Sequence, residues 1–175
     1  MNYLFLDNGF EEIEAVTSID LLRRASVALT TVSMTGQLPV KGAHGIIVNA
    51  DVLFSQQSFE DAEMLILPGG GAMLGEHENL CQLLISHNAQ NKPIAAICAA
   101  PAVLGKLGIL EGKQATCYPG FEHALGESYV GGLVVESKNI ITAKGPGLSS
   151  DFAFCLIEKI CGAQVADQVY DTAQY

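Results

Sequence analysis

Basic residues are scarce in this sequence: nine lysines and arginines stand against nineteen aspartates and glutamates, a formal net charge of -10. Such a surface repels phosphate backbones and anionic membranes, which argues against nucleic acid as a partner. Long hydrophobic runs are missing as well. The longest, Ile94 to Leu104, is far short of the roughly 20 residues that span a bilayer. The opening MNYLFLDNGF has neither a basic n-region nor a long apolar stretch, so a soluble cytoplasmic protein without a membrane partner is expected. Cysteine pairs are absent too: the five cysteines are an odd number, with no CxxC and no Cys/His pair at zinc-ligand spacing. Neither a disulfide scaffold nor a structural metal is indicated. GxGxxG and GxxxxGK[ST] are both missing, which removes the usual nucleotide loops.

What is present is apolar and ordered. With 49% hydrophobic and 16% charged residues over 175 positions, the chain can fill a substantial core as one domain, 1–175. Strand-like runs at Tyr3–Leu6, Leu29–Met34, Met64–Leu67 and Ile94–Ile97 alternate with segments of helical spacing. The first helix starts near Glu11, with Ile13, Val16, Ile19 and Leu22 recurring every three residues, and the second spans about 76–88, with Leu80, Leu83 and Leu84 on one face. Ile46–Val48 is a short extended piece after a turn-rich stretch. LVVESKNIITAKGPG reads as a hairpin around Ser137–Asn139, before a last helix that Ser149 or Ser150 is placed to cap. Val165, Val169 and Ala173 continue helical spacing to the end. Strands alternating with helices imply a flavodoxin-like three-layer α/β/α sandwich with a mostly parallel sheet.

Three unusual sequences fall at strand ends, where open parallel sheets bind ligands: DNGFEEIE (7–14), PGGGAM (68–73) and CAAP (98–101). Cys98 sits at the strand-to-helix hinge, with Pro101 tolerable in the first turn. A buried, inert cysteine is one reading; a thiol whose pKa is lowered by the helix N-terminus is the other. Gly69, Gly70 and Gly71 form either a tight turn or a backbone approach to a developing oxyanion. Glu11, Glu12 and Glu14 open the first helix, where acids favour the dipole. Glu14 is the exception to weigh, because a desolvated carboxyl facing a cleft stays protonated and becomes a proton donor.

Taken together, GFEEIE, LPGGGA, AAICAAPAVL and AKGPGLSSDFAF resemble the DJ-1/PfpI superfamily, also called ThiJ/PfpI, and most of all its DJ-1-like branch. The resemblance covers essentially the whole chain in order. It implies a flavodoxin-like homodimer with Cys98 on a strained nucleophile elbow and Glu14 hydrogen-bonded to its sulfur. It further implies an oxyanion pocket from Gly69, Gly70 and the Ala99 amide, Glu11 as a second acidic pocket residue, and no metal or organic cofactor. Two positions depart from it. Tyr118 stands where the best-known members carry a histidine, and a tyrosine is a poor base near neutrality, so proton transfer falls to Glu14 or Cys98. His44 stands where an arginine is common; it and His123 read as surface residues. The residue after the cysteine is Ala99 and no His-x-Glu pair follows, which disfavours the peptidase and amidotransferase branches.

The resemblance implies a cofactor-independent glyoxalase or deglycase acting on a small carbonyl substrate such as methylglyoxal. The alternative is a redox-responsive protein acting through oxidation of Cys98. A role in thiazole monophosphate synthesis rests on the ThiJ label alone. Cys117 reads mainly as a packing residue, with a resolving thiol as its other role; Cys81, Cys155 and Cys161 read as core or helix-face residues.

Overall fold

The structure, a computed structural model, describes residues 1–175 apart from the side chain of Ala72. Its main sheet has seven strands in the order β5-β2-β1-β6-β7-β9-β8. These are β1 (Asn2–Leu6), β2 (Leu29–Ser33), β5 (Val52–Leu53), β6 (Met64–Leu67), β7 (Ile94–Ile97), β8 (Val134–Ser137) and β9 (Ile140–Ala143). All neighbours pair in parallel except β8 and β9, which form the expected hairpin. A separate antiparallel ribbon joins β3 (Pro39–Lys41) to β4 (Ile47–Asn49).

The central strands are continuous apolar runs because both sheet faces are covered. Side chains alternate between two cores, as the two-residue period of a strand requires. Leu4, Leu6, Ile66, Ala95 and Ile97 face α1 (Glu12–Arg24), α5 (Ser149–Cys161) and α6 (Ala163–Ala173). Tyr3, Phe5, Leu65, Leu67, Ile94 and Ala96 face α2 (Glu78–Ala89), α3 (Pro101–Lys106) and α4 (Glu122–Leu125). The chain winds outward in opposite directions from β1 and β6, so the carboxyl ends of β1, β6 and β7 surround the place where such sheets bind ligands.

Two local expectations fail for physical reasons. Ile13 and Val16 are 56% and 44% exposed, whereas α1 buries Glu12, Glu14, Ala15, Ser18, Leu21 and Leu22. A strict three-residue spacing drifts by about 60° per step around an α-helix, so Ile13, Val16, Ile19 and Leu22 cannot share one narrow face. Ser149 does not cap α5: it is the first helical residue, follows Leu148 at the cap, and its hydroxyl donates to Pro146 O at 2.7 Å. β3, the two-residue β5 and the four-residue α4 are elements too short to leave a periodic signal.

α3 and α4 pack so closely at Gly105 that a Cβ there would lie 2.9 Å from the Ala124 carbonyl carbon. Gly105→Ala is therefore expected to cost about 1–3 kcal/mol through backbone overpacking, despite alanine's better helix propensity. Thermal unfolding should register roughly 2–4 °C per kcal/mol for a chain of this length. Gly147→Ala, where a Cβ meets nothing within 4 Å, should leave the midpoint unchanged.

Candidate active site

Cys98 lies between the end of β7 and the start of α3 with φ +66°, a left-handed conformation that costs a residue other than glycine ~1 kcal/mol or more. Its surroundings fix it from both sides. The Cys98 N–H donates to Ala143 O at 2.9 Å, and the Tyr118 N–H donates to Cys98 O at 2.8 Å. With both backbone groups held, the side chain is turned toward the ends of β1 and β6, where the Ala99 and Gly70 amides face the sulfur.

Glu14, on the first turn of α1, is fully buried. The Gly69 N–H donates to its Oε2 at 2.6 Å, while Oε1 is buried without a hydrogen-bond partner. The carboxyl also contacts the Cys98 thiol; that contact couples the two groups without reaching good hydrogen-bond geometry. Burial, with a smaller push from the charge on Glu11, raises the Glu14 pKa to about 7 against the hydrogen bonds from Gly69 and Cys98. Because Oε2 is committed as an acceptor, the proton belongs on Oε1. Beside an ionised Glu14 the Cys98 thiol is pushed up to about 12, first by burial, then by the charge and hydrogen bonding of the carboxylate; the Ala99 and Gly70 amides act in the opposite direction. Protonating Glu14 removes the repulsion and supplies a donor to the sulfur.

The glycine turn is built around this pair. A Cβ on Gly69 would sit 2.5 Å from both Cys98 Cβ and Glu14 Oε2. Gly70, at φ +109°, lies so close to the first loop that a Cβ would come 2.7 Å from Phe10 Cα. The two loops are zipped together: Glu11 N donates to Gly69 O at 2.9 Å, Gly71 N donates to Gly9 O at 3.2 Å, and Phe10 bridges Gly70. One expected role changes as a result. The Gly69 N–H is spent on Glu14, so the amides directed at the sulfur are those of Gly70 and Ala99 alone.

Glu12 does what its place in a run of acids did not disclose. Its Oε1 accepts the N–H groups of His44 and Ile46, at 2.7 and 3.3 Å, and its Oε2 receives His44 Nδ1 at 2.9 Å. Despite burial, these bonds hold its pKa down at about 2. His44, 70% exposed at its side chain, has its own pKa raised by this pairing and by Glu11. Glu11, Glu12 and His44 bring ligand atoms within 4.8 Å of one another, but Glu12 is already saturated as a latch on the β3–β4 ribbon. Asp7, at the end of β1, likewise receives His77 Nε2 at 2.7 Å. No sequence spacing announces either pair.

Tyr118 is 45% exposed, with its ring over Gly145, where a Cβ would lie 3.0 Å from Cδ2; its firm link to the site is the backbone bond to Cys98. Cys117 is buried in the opposite core from the one Cys98 packs against, and burial raises its thiol to about 11. It is a packing residue. His123 is exposed.

The raised Glu14 pKa makes stability depend on pH with a definite sign. A carboxyl near 4.5 when unfolded and near 7 when folded contributes stability that is complete below the lower value and lost as pH rises through the upper one. The expected loss is about 3 kcal/mol. Urea unfolding at pH 4.5 and pH 8 should show that component in the wild type and not in Glu14→Gln; equal slopes in both would place the titration elsewhere.

Comparison with known proteins gives the chain a family. The DJ-1/PfpI family model matches residues 3–159. Protein DJ-1 homolog A of Arabidopsis thaliana is 37% identical over 171 residues, covering 93% of this chain and 43% of that protein, so the chain spans about two-fifths of that relative's length. A deglycase of Pyrococcus abyssi is 28% identical over 143 residues, covering 79% of this chain and 86% of that one. Among solved structures, oxidised DJ-1 from Toxoplasma gondii superposes with a TM-score of 0.95 at 34% identity, over 99% of this chain and 97% of that one. The elbow and its carboxyl neighbour thus stand in a chain that belongs to the DJ-1/PfpI family.

Proposed function

We propose that this protein is a cysteine-dependent glyoxalase or deglycase that converts small α-oxoaldehydes, or their early adducts, to hydroxy acids without a cofactor. The observation that carries the reading is Glu14: a buried carboxyl in contact with Cys98, with one oxygen bound to Gly69 and the other without a hydrogen-bond partner. Its pKa of about 7 suits a group that gives and takes a proton at neutrality. The relative named as a deglycase is consistent with it.

In the proposed reaction the Cys98 thiolate attacks the aldehyde carbon of methylglyoxal, forming a C–S bond while the carbonyl electron pair moves to oxygen. The Gly70 and Ala99 N–H groups receive that oxyanion, and Glu14 protonates it to the hemithioacetal. Glu14, now ionised, removes the hydrogen on the former aldehyde carbon to give an enediolate; the hydroxyl proton passes from the first oxygen to the second, and Glu14 returns its proton to the adjacent carbon as the first C–O becomes the thioester carbonyl. The product is a lactoyl thioester on Cys98. Water cleaves it, releasing lactate and restoring the thiol, so the balance is one methylglyoxal and one water to one lactic acid.

A second reading, redox response through Cys98, is supported by the oxidised state of the T. gondii relative's structure. It predicts a stoichiometric reaction with peroxide rather than turnover. Part of the proposal is also one domain over the whole chain, a reducing compartment such as the cytoplasm for the five free thiols, and a homodimer. Among the described residues no helix is long and apolar enough to cross a membrane. Ile13 and Val16 of α1 are exposed, as are Ile46 and Ile47 at the start of β4, 57% and 61%, and the Ile46 N–H donates to Glu12, the residue before Ile13. This is the apolar surface we assign to the dimer.

Lactate release from methylglyoxal, measured without glutathione or metal, should show many turnovers in the wild type. It should fall at least 100-fold in Cys98→Ser, which keeps the fold but loses the nucleophile; equal rates in the two would end the glyoxalase reading. Light scattering of Ile13→Asp/Ile46→Asp should report monomers where the wild type gives dimers. A dimer that persists would move the interface to another face.

A further inference from the structure

β8 is the terminal strand of the sheet, and beside it runs a groove of about 560 Å³ between β8, α5 and α6. Leu133 O accepts from Lys144 N at 2.9 Å, and Val134 pairs with Ala143. The alternation of an antiparallel pair then turns the backbone N–H and C=O groups of Val134 and Glu136 away from β9, to the open edge. The side chains of these same two residues line the groove. An extended chain laid along β8 would therefore satisfy the open edge and set every second side chain into the groove.

The groove also states what those side chains are. Part of its lining is apolar, with Leu133, Phe154 and Tyr170, the first and last of these 61% and 46% exposed. Part is acidic, with Asp151, Glu158 and Asp167, and among the described residues none of the three pairs with a cation. Glu136 is already held by Lys159 at 2.7 Å. Asp151 and Glu158 are seven residues apart on α5, about 10 Å along the axis. In an added strand, positions i and i+4 are about 13 Å apart on one face, a span that long basic side chains match, with an apolar residue between them over Phe154. A second copy of this chain paired β8 to β8 is a poor occupant, because it would bring the unpaired Asp151, Glu158 and Asp167 of two identical grooves together.

We propose that the β8 edge and its acidic groove dock an extended basic segment of a partner protein, with the pattern cation-x-apolar-x-cation, by strand addition. The surface is distinct from the Cys98 site and from the α1 face assigned to the dimer.

The test uses the full chain and a fluorescein-labelled heptapeptide, Thr-Lys-Thr-Leu-Thr-Lys-Thr, whose two lysines and leucine share one strand face. Anisotropy titration should saturate, and Asp151→Lys/Glu158→Lys should weaken binding at least tenfold while leaving the thermal midpoint and lactate release unchanged. N-methylation of alternate peptide amides on the edge-facing side should weaken binding at least as much, and bound peptide should slow hydrogen exchange at the Val134 and Glu136 amides. Absence of saturable binding, an undiminished affinity in the charge-reversed variant, or tight binding of the N-methylated peptide would each overturn the proposal. The last of these would reduce the groove to a general cation surface.

Discussion

The site depends on placing a carboxyl group out of water, against a thiol, with one backbone amide to hold it. Glu14 is fully buried, and its only hydrogen bond of good geometry comes from Gly69. An ionised carboxylate in that position would lack half of its partners, which is why its pKa rises to about 7. Much of the neighbouring backbone follows from this constraint. Gly69 admits no side chain because Glu14 and Cys98 fill the space. Gly70 admits none because the first loop must approach closely enough for Glu11 and Gly71 to bond across.

Strain at Cys98 belongs to the same arrangement. The left-handed backbone at the elbow is held by Ala143 on one side and Tyr118 on the other, and its result is a sulfur facing two amides and one carboxyl. The Glu12–His44 and Asp7–His77 pairs secure the loops that carry these groups, one tying the β3–β4 ribbon to α1 and the other tying β1 to the start of α2. A parallel sheet supplies the frame: the site falls where β1, β6 and β7 end together.

The strands that are buried on both faces were legible in the sequence, since runs such as Met64–Leu67 and Ile94–Ile97 are continuous and end in glycine, proline or cysteine turns. Cys98, Glu14 and the glycine turn stood out because their residue types are unusual at strand and helix ends. The orientation of α1 was not legible. Its outward Ile13 and Val16 are apolar, and its inward Glu12 and Glu14 are carboxylic, a reversal of the usual pattern that arises where a helix end carries a site. Nor does sequence disclose that one amide of the glycine turn is already consumed, because which N–H bonds to which oxygen is fixed only by the approach of two distant loops.

The central claim is that Glu14 acts as a protonated donor to the Cys98 thiolate, not as an anion beside a neutral thiol. The pH dependence of Cys98 alkylation by iodoacetamide, followed by mass spectrometry of the Cys98 peptide, distinguishes these by sign when the wild type is compared with Glu14→Leu. The account predicts that the wild-type midpoint lies below that of the variant by at least one unit, because the variant has lost a donor to the thiolate. A midpoint that moves downward in the variant would mean that Glu14 is an ionised neighbour suppressing the thiolate, and would contradict the account.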